Sequence, residues 1–284
     1  MSIATAPMRT AHDLAGWLAL WRDAEIPVLR ETAEQIEELR VREDEVDAHL
    51  LAPVVSADPL MCLKLLARVA GLPSARRVTD TETATAALVM MGIGPFFRTF
   101  GPQPTVQETL AAQPRALDGL IRLLVRARRA ARFALGFAVH RMDLDAEVIH
   151  EAALLHDFAE MLLWCHAPAL ALDIDQRQRS DPALRSAAVQ RQVLGVELVD
   201  VQQALMRNWR LPDLLVRISD DHHDKGPQVR NVVLAIRIAR HTSTKEGWDN
   251  AAIPDDVRDI AQLLNLRPES TLKLLRDLDG PNSG

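Results

Sequence analysis

The sequence predicts an all-α protein, on three observations. Apolar residues recur with the 3.6-residue helical period along almost every segment, alternating β-branched runs are scarce, and prolines and glycines fall between the periodic stretches rather than inside them. In order, the pattern places helices at about Ala11–Arg22, Val28–Leu39, Glu43–Val54, Pro59–Ala70, Thr81–Met91 and Val106–Ala112. Longer ones follow at Arg115–Arg141 and Ala146–His166, then Ala183–Leu194, Val196–Trp209, Pro212–Asp220 and Val229–Thr242. A last pair, Asp255–Leu264 and Glu269–Leu278, ends the pattern. Asp58-Pro59 starts its helix with an N-cap carboxylate and a proline at the first helical position, where a missing amide costs nothing. Gly101-Pro102-Gln103-Pro104 cannot continue a helix and divides an N-terminal from a C-terminal half.

Composition narrows the function classes. The 284 residues carry 33 basic and 39 acidic side chains, a net charge of −6, which argues against a generic nucleic-acid coat. Hydrophobic residues make up 48% and charged ones 25%, enough for a sizeable core, and mean hydropathy is −0.04. Aromatics supply only 4% and tyrosine is absent, so packing must rest on Leu, Ala, Val and Ile. Cys62 and Cys165 form no paired framework, and nothing asks for an oxidising compartment. With no apolar run of signal-peptide or membrane-spanning length, a soluble cytoplasmic protein is expected, with no membrane partner.

Two clusters carry groups capable of chemistry. The stretch from Glu151 to Trp164 is apolar around nearly its whole circumference, yet it holds His156, Asp157 and Glu160. Burying such groups unpaired is costly, so they either bind something or satisfy one another. On a continuous helix His156 and Asp157 diverge by about 100°. Only an ion with further ligands on other helices would use both; otherwise His156 bonds Glu160, four residues on, and Asp157 meets a cation. The second cluster, Asp220-Asp221-His222-His223-Asp224, offers either transition-metal ligands with supporting carboxylates or solvated residues at a helix C-terminus, where histidine suits the dipole.

Taken in order, these features resemble a known family. Asp58-Pro59-Leu60 opens a helix through Lys64-Leu65-Leu66; Met91-Gly92, Leu154-Leu155-His156-Asp157, Trp209-x-Leu211-Pro212 and His222-His223 follow. The series, over about Ile26 to Thr242, resembles the HDOD family, the HD-related output domain, an all-helical relative of the HD phosphohydrolases. The resemblance implies a metal site built from an earlier His, the His-Asp pair, further histidines and a late Asp. His156 and Asp157 match the pair, and His222 with His223 matches the double histidine. Arg126 stands where the earlier His is expected, and Ile236 where the late Asp is expected. A guanidinium offers no lone pair and stays protonated, so the resemblance implies a degenerate site with no metal, no cofactor and no catalytic residue. His156, Asp157, His222 and His223 would be vestigial ligands. Arg126 would replace the cation as the charge partner of Asp157, with His156 or the 222–223 pair completing the network.

Arg115, Arg122, Arg126 and Arg129 recur at helical spacing. Such a stripe is either an anion-binding surface or a solvated helix face, with Arg126 turned toward the pocket. The last helical pair reads loosely as a helix-turn-helix, but Glu269–Leu278 holds only Lys273 and Arg276 against Glu269 and Asp277. DNA binding is therefore not expected, and the pair should pack on the body.

The resulting expectation has three parts: an N-terminal helical extension (1–25), an HDOD domain (26–242, with a helical lobe 26–104 and an HD-like lobe 105–242), and a C-terminal helical tail (243–284). No receiver or cyclic-dinucleotide domain is visible beside it, so a stand-alone HDOD protein is expected. By the resemblance it would be a non-enzymatic regulator in bacterial signal transduction, binding a signalling protein or small ligand. The alternative is a metal-dependent HD-type phosphohydrolase acting on a nucleotide or cyclic dinucleotide. The sequence leaves a homo-oligomer open.

Overall fold

The longest amphipathic stripe of the chain becomes the axis of the structure. The computed structural model describes residues 11–72, 82–181, 184–220 and 226–280. Its N-terminal part contains α1 (Leu14–Trp21), α2 (Arg30–Arg40), α3 (Ala48–Ser56), α4 (Pro59–Ala70), α5 (Ala84–Met91), α6 (Ile93–Thr99) and the single turn α7 (Val106–Thr109). The C-terminal part contains α8 (Pro114–Arg141), α9 (Ala146–Leu154), α10 (Phe158–His166), α11 (Pro168–Ser180), α12 (Ser186–Leu194), α13 (Leu198–Asn208) and α14 (Asp213–Ile218). It continues with α15 (Pro227–His241), α16 (Ile253–Leu264) and α17 (Pro268–Asp279). Among the described residues there is no strand, only one isolated parallel bridge between Val28 and Thr105. No described helix is long and apolar enough to cross a membrane.

With 28 residues α8 is about 42 Å long at 1.5 Å per residue, and α4, α9, α10, α11, α15, α16 and α17 all pack against it. Its inward side alternates small and large residues: Ala127, Ala130, Ala131 and Ala134 let neighbours approach, while Leu120, Leu124, Phe133 and Phe137 fill the space between them. Gly119 lies under the Trp164 ring of α10, where an added Cβ would come within 2.5 Å of the indole. The aromatic-poor composition therefore packs by close helix approach.

Buried polar groups tie the elements together. Asp58 is buried at the start of α4; one oxygen accepts the Leu60 amide at 3.0 Å and the other the Leu29 amide at 2.8 Å, fastening the entry to α2. Glu151 of α9 accepts the Ala84 amide at 2.9 Å and the Cys62 thiol at 2.7 Å, joining α9 to α5 and α4. Between the two halves, residues 101–104 run as irregular chain, as the Gly-Pro pattern predicts, and Pro104 accepts the Val28 amide at 3.0 Å. The N-terminal helix α1 does not stand apart: Trp17 is buried and its indole N–H donates to the Leu194 carbonyl at 3.0 Å.

Several expectations about elements need correction. The helix expected over Glu43–Val54 is a 3-10 turn at Glu43–Glu45 followed by α3, because Asp47 caps a new start by accepting the Leu50 amide. Helices α6 and α11 were not expected. The first is short and spans Gly94 and Pro95; the second has few buried residues and is held on its outer side by Asp173–Arg177 and Asp175–Arg179 pairs. The single helix expected over Ala146–His166 is broken between Leu154 and Phe158. The expected tail pair does form: α16 packs on α15 and α17 on α8.

Candidate functional site

The break between α9 and α10 builds the site. Leu155 still bonds back to Glu151 in helical fashion, but the Phe158 amide donates to the Leu155 carbonyl three residues back, and Asp157 becomes the residue that opens α10. This turn removes the 100° divergence that a continuous helix would impose. His156 and Asp157 instead face each other, with His156 Nδ1 at 2.8 Å from Asp157 Oδ1.

Arg126, from the middle of α8, reaches the same place. Its Nη2 lies 3.3 Å from Asp157 Oδ2 and 3.8 Å from Glu160 Oε2, so one guanidinium spans two carboxylates. The Trp164 indole N–H donates to the other Glu160 oxygen at 3.4 Å. Side-chain exposures of 26% for Arg126 and 17% for Asp157 place the pair at the edge of the interior rather than in free solvent. A small cavity of about 120 Å³ opens beside Arg126, Glu160 and Trp164.

The electrostatics follow from this arrangement. Burial alone would raise the Asp157 pKa, but the hydrogen bond and charge of His156 and the charges of Arg126 and Arg240 outweigh it and hold the carboxyl well below the usual carboxylate range. Glu160 moves the other way, since burial and the nearby Asp157 charge prevail over Arg126 and raise its pKa. Burial lowers the Arg126 pKa, yet the two carboxylates more than compensate and raise it, so the guanidinium stays charged.

Thus the structure brings together Arg126, His156, Asp157 and Glu160, and adds Arg240 from the last turn of α15. His222 and His223 lie outside the described residues, as do Asp221 and Asp224. Ile236, in the position implied for a late acidic ligand, is buried among apolar side chains. Of the arginine stripe, Arg115 and Arg122 are exposed but Arg129 is not a solvated residue: it makes a two-pronged pair with Asp279 at 2.8 and 2.9 Å. Asp279 and Arg240 escaped sequence reasoning because each is only a charged residue near a helix end until the fold is known.

Could this donor set hold the divalent ion of an HD-type site? Among the described residues no three His, Cys, Asp or Glu side chains converge for a metal. One Asp157 oxygen is taken by Arg126 and the other by His156, through the Nδ1 nitrogen. A cation placed there would meet a guanidinium with no lone pair to offer. The described residues do not fit the metal. They fit a carboxylate neutralised from within the protein.

A family profile described as HDOD domain matches residues 26–225. Among solved structures, the response regulator MmoQ of Methylococcus capsulatus strain Bath superposes with a TM-score of 0.68 at 16% identity, covering 90% of this chain and 100% of that one. A virulence factor of Campylobacter jejuni subsp. jejuni superposes with a TM-score of 0.61 at 16% identity, covering 94% and 98%. At these identities the likeness establishes the shared helical fold. A search of curated proteins gives no match.

Proposed function

The chain belongs to the HDOD domain family, and from that premise we propose that it is a non-enzymatic regulatory protein of bacterial signal transduction that binds a protein partner or small ligand. The observation that carries this reading is the Arg126 guanidinium against Asp157, 3.3 Å away, at the position where the family resemblance implies a metal-binding histidine. Metal-dependent phosphohydrolysis uses the ion to generate a nucleophilic hydroxide and to neutralise charge on the phosphate. A fixed guanidinium can do the second and not the first. The response-regulator name of the Methylococcus relative is in keeping with a signalling role.

The test is direct. Purified protein is incubated with a chromogenic phosphodiester and with nucleotides, in excess Mn²⁺ and then Mg²⁺. No turnover above that of a His156→Ala variant is expected. Turnover that His156→Ala abolishes would overturn the proposal and establish a hydrolase.

A further inference from the structure

A cavity of about 810 Å³ beside the site lies between α8 and the segment that leaves α15. Arg122, Arg126 and Arg129 line one wall, and Arg240, Ser243 and Lys245 the other. Two of these charges are spoken for within the protein: Arg126 by Asp157 and Glu160, Arg129 by Asp279. The side chains of Arg122, Arg240 and Lys245 make no hydrogen bond or ion pair among the described residues. Three cations with no direct hydrogen-bonded or ion-paired partner among the described residues thus face one volume, the charge of Arg240 acting also on Asp157 and Glu160 and that of Lys245 on Glu246, in a chain whose net charge is −6. Holding like charges together is unfavourable unless an anion joins them. Between the cations Ile121 and the half-exposed Val125 supply an apolar strip. The size is that of a small-molecule site.

We propose that this groove binds a small molecule bearing two or three linked phosphate groups. The proposal rests on the regulatory reading above and gives it a ligand class. Arginine suits phosphate because its planar fork donates two parallel hydrogen bonds, and Lys245 adds a point charge at the rim. The Arg240–Lys245 wall lies beyond residue 225, where the family match stops, so the groove is completed by a segment outside the matched residues. Occupancy would also bridge α8 to the segment that leads into the tail helices, linking ligand binding to how firmly that tail is held.

Two probes separate the sources of such a ligand: inorganic tripolyphosphate and ATP, each titrated calorimetrically into the full chain, with recovered ATP analysed by chromatography. Saturable binding of either probe at one per chain is expected, weakened about tenfold by Arg122→Gln and by Arg240→Gln, the loss of one charge-assisted contact each. Arg40→Gln, an exposed arginine on α2, should leave it unchanged. Bound ATP recovered intact supports both the ligand class and the regulatory reading. Bound but hydrolysed ATP overturns the regulatory reading and leaves the ligand class standing. No saturable binding of either probe, or an equal loss with Arg40→Gln, would overturn the ligand class and leave the regulatory reading untouched.

Discussion

Arg126 carries more of the account than any other residue, because it holds two carboxylates that would otherwise repel at the edge of the core. Its removal leaves Asp157 with His156 alone among the close contacts described above. At 3.3 Å and with a quarter of the arginine side chain exposed, the pair is weaker than a fully buried one, so Arg126→Ala should destabilise by about 2–3 kcal/mol near pH 7. The pH dependence has a definite sign. The folded-state pKa of Asp157 lies below its unfolded value of about 3.9, so the stabilisation is present above that value and lost as pH falls through the lower folded one. The raised pKa of Glu160 acts in the opposite sense, losing stability as pH rises through the ordinary carboxylate range. Denaturant unfolding of wild type and Arg126→Ala should therefore differ at pH 7 and converge progressively as the pH falls below about 4. Equal stability at pH 7 would mean that the guanidinium does not neutralise the carboxylates.

At the scale of elements, one buried ion pair reinforces the packing of the tail on the body. Arg129 and Asp279 are both buried, and the guanidinium also donates to Thr242 and Ser243 at 2.9 and 2.8 Å, so a single side chain gathers α8, the end of α15 and α17. Asp279→Ala would strand a buried guanidinium, a loss of about 3–5 kcal/mol, and hydrogen exchange should speed most in α17. Uniform exchange across the chain would contradict this role. The same contact shows what sequence reasoning can and cannot reach. Helix starts with local chemistry, such as Asp58-Pro59 for α4, are legible to the residue. The break at residues 155–157 was not, because apolar residues continue on either side of His156-Asp157 and no proline or glycine marks a stop there. Helix α11 had legible signals in Pro168 and its i,i+4 ion pairs, but few apolar residues to mark a buried stripe. Arg129 looked like its exposed neighbours because its partner is 150 positions away.

For the whole molecule, an HDOD helical scaffold sets the His156-Asp157 pair against Arg126 of the central helix, and the proposed reading is that this guanidinium takes the place of a cation. The scaffold and the pair were legible through the order of motifs from Asp58 to Trp209, whereas the charge distribution around the groove emerged only when α8 and the end of α15 were seen side by side. The most direct measurement of the central claim is the metal content of the purified protein after equilibration with excess Mn²⁺ or Zn²⁺ and removal of free ion. Because a stoichiometric ion would need deprotonated ligands where Arg126 and Ile236 stand, elemental analysis should find far less than one ion per chain, with no difference between wild type and His156→Ala. Close to one ion per chain in the wild type, lost in His156→Ala, would contradict the account.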